Sequence, residues 1–306
     1  MDFSTSTDTK TEEQRPAPRI RVVCVVYNPG PELLTFSDSL RKATTEDIEV
    51  RLVNNGDANE YLDQVCQIWN IDAIEPGENL GYGRGVNLGA KGFTGDWIVA
   101  ANPDLIWEEN SLDNLVSVAE KTPRAASFGP CIKNTDGSVY PSARNLPSIH
   151  NGIGHALFKN IWKKNPWSRK YWNLDALDPK HASPISAQWL SGACLLLRAK
   201  AFFEVSGFNE KYFMFVEDLE LGERLGKNGW LNIYVPSAVV IHDQGTSWRS
   251  KPEKMIIAHH ESTETYLREK YSKWYQRPLR MVLRVGLKLH LKLELKLNNS
   301  PLGKRR

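Results

Sequence analysis

The sequence predicts an α/β protein built on a doubly wound sheet and closed by a basic helical tail. Three observations carry this. Short Val/Ile-rich runs alternate with helix-length segments through the first 104 residues, the order of a doubly wound half-domain. The apolar run Trp97 to Ala101 stops abruptly at Asn102-Pro103-Asp104, which puts an acid just past the carboxyl end of a buried strand. Open α/β sheets bind ligands at that place. Residues 277–306 hold nine Lys/Arg and one Glu, a net +8 in a chain whose total is +3.

Composition narrows the class. The chain has 306 residues, 41% hydrophobic and 25% charged, enough for one large domain or two smaller ones. No run of 18 apolar residues exists, so no spanning helix is predicted, and the N-terminus lacks a signal-peptide core. Cys24, Cys66, Cys131 and Cys194 lie far apart and form no C-x-x-C pair, which reads as reduced core thiols in a cytoplasmic protein.

The elements follow in order. Residues 1–18 are Ser/Thr/Glu-rich and end in Pro16-Ala17-Pro18, a disordered leader. Ile20 to Tyr27 is the first strand, and Asn28-Pro29-Gly30-Pro31 turns it into a helix over 31–43. Ile48 to Val53 is the second strand, closed by the turn signal Asn54-Asn55-Gly56-Asp57. A helix over 58–69 and a short strand Ile71 to Ile74 come next. Asn79 to Asn87 opens a helix with Gly81, Gly83 and Gly85 at alternate positions, which allows close backbone approach to a ligand. The spacing is G-x-G-x-G after the third strand, so a Rossmann dinucleotide site is excluded. Trp97 to Ala101 ends at Pro103, which cannot donate to a ladder.

Past a helix near 109–120 the pattern turns irregular. Asn134-Thr135-Asp136-Gly137 predicts a hairpin turn. Residues 145–184 are rich in Trp, His, Lys and Pro, as in a binding insertion. Trp189 to Arg198 contains a strand interrupted by Ser191-Gly192, followed by a short helix over 199–205. Four large apolar residues, Tyr212 to Phe215, run almost directly into Glu217 and Asp218, which open a helix ending at Asn228-Gly229. Those acids complement the helix dipole, yet their apolar approach points to a partly buried carboxyl. Burial raises a carboxyl pKa toward the range of a general base. Trp230 to Val235 and Ala238 to Ile241 are the last strands, ending at His242.

Asp104 beside the Asn102 carbonyl offers hard oxygens of the kind Mg2+ or Mn2+ takes, and a neutral His242 suits manganese. In the tail, odd positions from 279 to 297 are nearly all Leu, Val or Met, while Arg280, Arg284, Lys288, Lys292 and Lys296 recur every four residues. The first pattern reads as a strand; the second keeps the charges together on a helix, with the leucines on two sides. A basic interfacial helix reconciles them, because the segment needs an apolar and an anionic surface at once.

Seven stretches together resemble a family 2 glycosyltransferase with the GT-A fold, and more narrowly the bacterial rhamnosyltransferases acting on N-acetylglucosaminyl-diphospho-polyprenol. They are Val-Tyr-Asn-Pro (26–29), Glu-Asn-Leu-Gly-Tyr-Gly (78–83), Ala-Asn-Pro-Asp (101–104), Asp-Gly-Ser-Val-Tyr-Pro-Ser-Ala-Arg (136–144), Trp-Leu-Ser-Gly-Ala-Cys (189–194), Tyr-Phe-Met-Phe-Val-Glu-Asp (212–218) and Tyr-Val-Pro-Ser-Ala (234–238). The resemblance covers roughly residues 20–275. It implies a catalytic domain over 19–250, with a nucleotide-sugar half (19–104) and an acceptor half (105–250), followed by a membrane-associating segment over 251–306.

The resemblance also implies roles. Asp104 holds the ion, with His242 completing the site and Asn102 on the donor side. Tyr27, Asn54 and Asn55 surround the nucleotide base, Asn54 replacing the family's usual Asp. Asn79, Gly81 and Asn87 form the donor loop, and Trp189, Ser191 and Gly192 the acceptor-side loop. Asp218 is the base, with Glu217 beside it. The implied partners are dTDP-L-rhamnose, a GlcNAc-diphospho-polyprenol lipid and the anionic inner leaflet; the composition leaves room for a homo-oligomer. Rivals are a GT-A enzyme using UDP-galactofuranose or UDP-glucose, a non-catalytic GT-A scaffold, and a nucleic-acid binder. The acidic body and the lack of a nucleic-acid motif count against the last.

Overall fold

A computed structural model describes residues 18–147, 172, 183–243 and 252–298. All but Pro18 of the leader predicted over 1–18, and most of the predicted 145–184 insertion, lie outside the described residues.

The first half alternates as the sequence reads. β1 (Ile20–Val26), α1 (Glu32–Ala43), β2 (Ile48–Asn54), α2 (Glu60–Trp69), α3 (Tyr82–Ala90) and β3 (Trp97–Ala101) follow one another. β1 lies between β2 and β3, parallel to both. Such strands are covered on both faces, and β1 is accordingly apolar almost throughout. Val22, Cys24 and Val26 pack on one side with Phe36 and Leu40 of α1; Val23 and Val25 pack on the other with Val86 of α3. That is the period-two alternation of a strand with a core on each face. Asn59 caps α2 by accepting from the Tyr61 and Leu62 N–H groups.

The second half completes one mixed sheet. It contributes β4 (Leu105–Trp107), α4 (Ser111–Glu120), β5 (Ala125–Lys133), β6 (Ala143–Arg144), β7 (Ile185–Ala187), β8 (Trp189–Leu190), β9 (Cys194–Arg198), α5 (Ala199–Glu204), α6 (Glu217–Lys227) and β10 (Leu231–His242). The strand order is β2-β1-β3-β9-β5-β10-β4, with β7 paired to β10, while β6 and β8 pair separately. β9 runs antiparallel to β3 and to β5. Two C-terminal helices, α7 (Pro252–Lys270) and α8 (Arg277–Asn298), are joined by a 3-10 turn over Trp274–Gln276. The tail is a helix, as expected.

Several predicted elements change. The strand expected at Ile71 to Ile74 is a single bridge, Val53 to Ile74. β5 escapes the sequence reading because Gly129-Pro130 looks like a breaker. Pro130 is accommodated because β9 pairs only with Ser127 and Phe128, and β10 bulges after Val235, opposite Pro130. The two final strands are one, bent at that same bulge. The 134–137 turn forms as predicted, with Gly137 N–H donating to the Asn134 carbonyl at 2.9 Å.

Candidate functional site

The first corner of the site forms where β3 and β10 end and β4 begins. Pro103 stops β3, and His242 sits opposite Leu105 in the β10–β4 ladder. This brings His242 Nε2 to 3.0 Å from Asp104 Oδ1 and 3.4 Å from Asn102 Nδ2. His242 Nδ1 is buried without a hydrogen-bond partner, and buried Asp104 Oδ1 has only the His242 ring against it. A buried acceptor without a partner is costly, and a cation relieves that cost. A carboxylate and an imidazole are donors that Mg2+ or Mn2+ takes, so Asp104 and His242 fit a divalent ion. The Cys24 thiol lies close enough to feel the Asp104 charge. Burial first, then that charge, pushes its pKa well above the usual thiol range. Cys24, Cys131 and Cys194 are buried free thiols, in keeping with the reading of core cysteines, whereas Cys66 is only half-buried.

The acid corner adjoins it. Asn102 N–H donates to the Ala193 carbonyl at 2.9 Å, which ties the end of β3 to the Ser191–Gly192 loop. Gly192 N–H donates to Asp218 Oδ2 at 2.8 Å, and Leu219 N–H to Asp218 Oδ1 at 2.8 Å. A Cβ on Gly192 would stand 3.1 Å from the Asp218 Cβ, so glycine permits this approach. Burial raises the Asp218 pKa; the two N–H donors and the nearby Arg144 charge pull against it. Glu217 differs. It is buried, its Oε2 has no partner, and burial followed by the Asp218 charge drives its pKa up. The neighbouring acids are therefore unequal: Glu217 holds its proton more tightly, and Asp218 is the carboxylate with donors around it.

Backbone strain marks the approach to these acids. Phe215 and Val216 have φ of 67° and 69°, a left-handed conformation that a β-branched residue adopts rarely. The loop is held from both sides. Ser262 of α7 donates to the Met214 carbonyl at 2.7 Å, and Tyr82 N–H donates to the Phe213 carbonyl at 3.0 Å. Gly81 precedes that bond with φ of 79°, and any Cβ there would collide with the Phe213 carbonyl. The donor loop and the acid loop are thus backbone neighbours.

The remaining predicted residues divide. Tyr27 is 43% exposed at the end of β1. Asn55 is buried; it donates to the Gly81 carbonyl at 2.9 Å and accepts from Leu80 N–H at 3.3 Å, joining the base region to the donor loop. Asn79 accepts from Gly81 N–H at 2.9 Å and shapes that loop. Asn54 donates to both Glu75 oxygens, at 3.0 and 3.1 Å, and accepts from Gly56 N–H. That explains the departure at position 54: an Asp there would face another carboxylate. Asn87 exchanges two bonds with the Phe208 backbone, each 2.8 Å, and anchors the 206–208 turn. Trp189 is buried against α6, its indole N–H donates to the Asn145 carbonyl at 3.0 Å, and Arg144 stacks on its ring. Ser191 is buried, with its N–H on the Ser142 carbonyl at 2.8 Å. Three neighbours were missed: Glu75, Arg144 and Tyr82, whose hydroxyl donates to the Gly192 carbonyl. Arg144 closes one of the quoted stretches, so its signal was in the sequence.

A sequence profile described as "Glycosyl transferase family 2" matches residues 21–201, more than half of the chain. The chain belongs to glycosyltransferase family 2. The N-acetylglucosaminyl-diphospho-decaprenol L-rhamnosyltransferase of Mycobacterium tuberculosis (strain ATCC 25618 / H37Rv) is 43% identical over 274 residues, covering 86% of this chain and 88% of the relative. Rhamnosyltransferase WbbL of Escherichia coli (strain K12) is 27% identical, over 72% of this chain and 82% of its own. Among solved structures, the mannosyltransferase PcManGT from Pyrobaculum calidifontis, in complex with GDP-Man and Mn2+, superposes with a TM-score of 0.56 at 14% identity, over 92% of this chain and 75% of that one. GalNAc-T7 with UDP, GalNAc and Mn2+ also gives 0.56, at 18% identity, over 74% and 43%. Those two share the fold of this family 2 glycosyltransferase. The mixed sheet with helices on both faces is therefore a GT-A fold, as the resemblance implied.

Proposed function

We propose that this family 2 glycosyltransferase moves L-rhamnose from dTDP-L-rhamnose to the N-acetylglucosamine of a polyprenyl-diphosphate lipid, with inversion at the anomeric carbon. One observation carries the reaction type. The Asn102 N–H to Ala193 carbonyl bond places the Asp104–His242 pair next to the Gly192 loop that holds Asp218. A general base and a site for a departing diphosphate thus adjoin. The identity of the substrates rests on the relative that is 43% identical over nearly its whole length.

In this reading Asp218 accepts the proton of the acceptor hydroxyl. The freed oxygen attacks the anomeric carbon from the face opposite the nucleotide, and that carbon's bond to the diphosphate oxygen breaks. One displacement inverts the centre, and no covalent enzyme intermediate forms. A base so placed contributes about 10²–10⁴-fold. Asp104 and His242 would hold Mg2+ or Mn2+, whose charge stabilises the leaving dTDP when bound. The Gly192 and Leu219 N–H groups, and after them the Arg144 charge, pull against the burial that raises the Asp218 pKa.

We assign the protein to the membrane's inner leaflet as a peripheral protein. Among the described residues no helix is long and apolar enough to cross a membrane. On α8, at about 100° per residue, Met281, Val282, Val285, Leu289, Leu293 and Leu297 form one exposed stripe. Arg284, Lys288, Lys292 and Lys296 line its edge. Apolar burial and attraction to anionic lipid act together on such a surface.

The test is a transfer assay with a short-chain GlcNAc-diphospholipid and a panel of dTDP-L-rhamnose, UDP-glucose and UDP-galactofuranose, with the product's anomeric configuration read by NMR. Transfer of rhamnose alone, with inversion, is the expected result. Transfer from a UDP sugar but not from dTDP-rhamnose, or retention of configuration, overturns it.

A further inference from the structure

A second cluster of ligand-type side chains lies away from the transfer site, between α7 and α8. His260 is buried on α7; His290 and Glu294 stand one turn apart on α8 and are half-buried. Their candidate ligand atoms all lie within 4.8 Å of one another. His260 Nε2 is 3.0 Å from His290 Nδ1 and 3.9 Å from Glu294 Oε2. Ligand atoms of a tetrahedral zinc ion, each about 2.0–2.1 Å from the metal, are separated by roughly 3.3 Å. The two distances from His260 Nε2 bracket that spacing.

The tautomer is already set for one ligand. His260 Nδ1 lies 2.9 Å from the Ile256 carbonyl, which can only accept, so Nδ1 carries the hydrogen and Nε2 presents its lone pair to the cluster. A carbonyl behind a ligating imidazole is the usual orienting partner in metal sites. The hydrogen between His260 and His290 then sits on His290 Nδ1. Its transfer to His290 Nε2, which faces Glu294 Oε1 at 3.7 Å, frees the second lone pair with no net loss of a proton.

We propose that His260, His290 and Glu294 bind a zinc-class transition ion that staples α8 to α7, with water in the fourth position. Two imidazoles and one carboxylate favour zinc over magnesium or calcium, which take all-oxygen sets. The staple has a mechanical reason. α8 buries no residue fully, so its packing on α7 is shallow. Ring contacts link the cluster to the strained loop before Asp218: His260 contacts the His259 ring, and His259 contacts the ring of Phe215. The ion would fix the helix carrying the exposed apolar stripe relative to that loop.

The experiment uses the full-length chain, cleared of metal by chelator, and titrates Zn2+ and the spectroscopic probe Co2+. Four proteins are compared: wild type, Asp104→Asn, His290→Gln and Glu294→Gln. Both α8 substitutions fall on half-buried positions, and helical circular dichroism checks that the fold survives. The expected result is a tight site with the d–d absorption of tetrahedral Co2+ in wild type and in Asp104→Asn. That site should weaken at least about tenfold in either α8 variant. Hydrogen exchange of α8 amides should slow with Zn2+ only where the site is intact. Equal Zn2+ affinity in wild type and His290→Gln overturns the proposal, as does loss of the site in Asp104→Asn alone. None of these readouts depends on sugar transfer.

Discussion

Asp218→Asn and Glu217→Gln separate the two adjacent acids. Asp218→Asn keeps the shape but cannot take a proton. Loss of a positioned base should lower kcat by at least ~10²-fold, about 2.7 kcal/mol of barrier. The fold should survive, because two local effects oppose each other. The amide keeps one oxygen acceptor, so one of the Gly192 and Leu219 N–H groups loses its partner, at about 1–3 kcal/mol. Replacing a buried carboxylate also removes the desolvation that raises the Asp218 pKa. Glu217→Gln replaces an acid that burial already holds toward its neutral form, with an oxygen that has no partner to lose. It should change kcat by less than about tenfold. The assay is steady-state transfer to the short-chain GlcNAc lipid, with donor affinity measured by titration. A crippled Glu217→Gln beside a mild Asp218→Asn would refute the assignment and move the base one residue earlier.

The Glu217 pKa is raised on folding, so the folded state binds its proton more tightly than the unfolded chain does. This group's contribution is therefore fully present at pH values below the ordinary carboxyl range and is lost as pH rises toward its folded value. Glu217→Gln should gain stability relative to wild type between about pH 4 and neutrality, by on the order of 1 kcal/mol or more in urea melts; an unchanged difference refutes the cause. Asp104→Asn and His242→Gln should each cut transfer, with Asp104→Asn the more severe, and chelator should abolish wild-type activity; full activity in EDTA rejects the ion. Gly81→Ala should lose at least about 1–2 kcal/mol from its φ alone, with a further loss from the collision at Phe213, read as a lower Tm and a lower kcat. Truncation after Gln276 should release the protein from anionic vesicles, and vesicle binding by the full chain should weaken with salt; equal sedimentation of the truncated form excludes α8 as the anchor.

The parts that strong local signals specify were legible in the sequence. β1 to β3, the Asp104 turn, the 134–137 turn and the helix opening at Glu217 follow from apolar runs, proline stops and caps. The pairing of Asp104 with His242 spans 138 residues and came only through the resemblance. β5 was hidden because Gly129-Pro130 breaks a strand in isolation, and only the β10 bulge and the short β9 contact make room for it. The partner of Asn54 was hidden for a different reason. Glu75 reaches it because the chain returns beside β2 through one bridge at Ile74, too short a contact to show in periodicity.

The insertion of β9 has a kinetic consequence. β3 pairs with β1 on one side, and on the other only with β9, which lies more than ninety residues later in the chain. During synthesis β1, β2 and β3 emerge able to pair, yet the outer edge of β3 stays open until residues 194–198 arrive. An open apolar edge is a template for pairing with other chains. It exists only for the interval between the two stretches, so slowed elongation or a stall between 101 and 194 would convert a folding intermediate into an aggregation-prone one. The same chain, once β9 has docked, presents no such edge at β3.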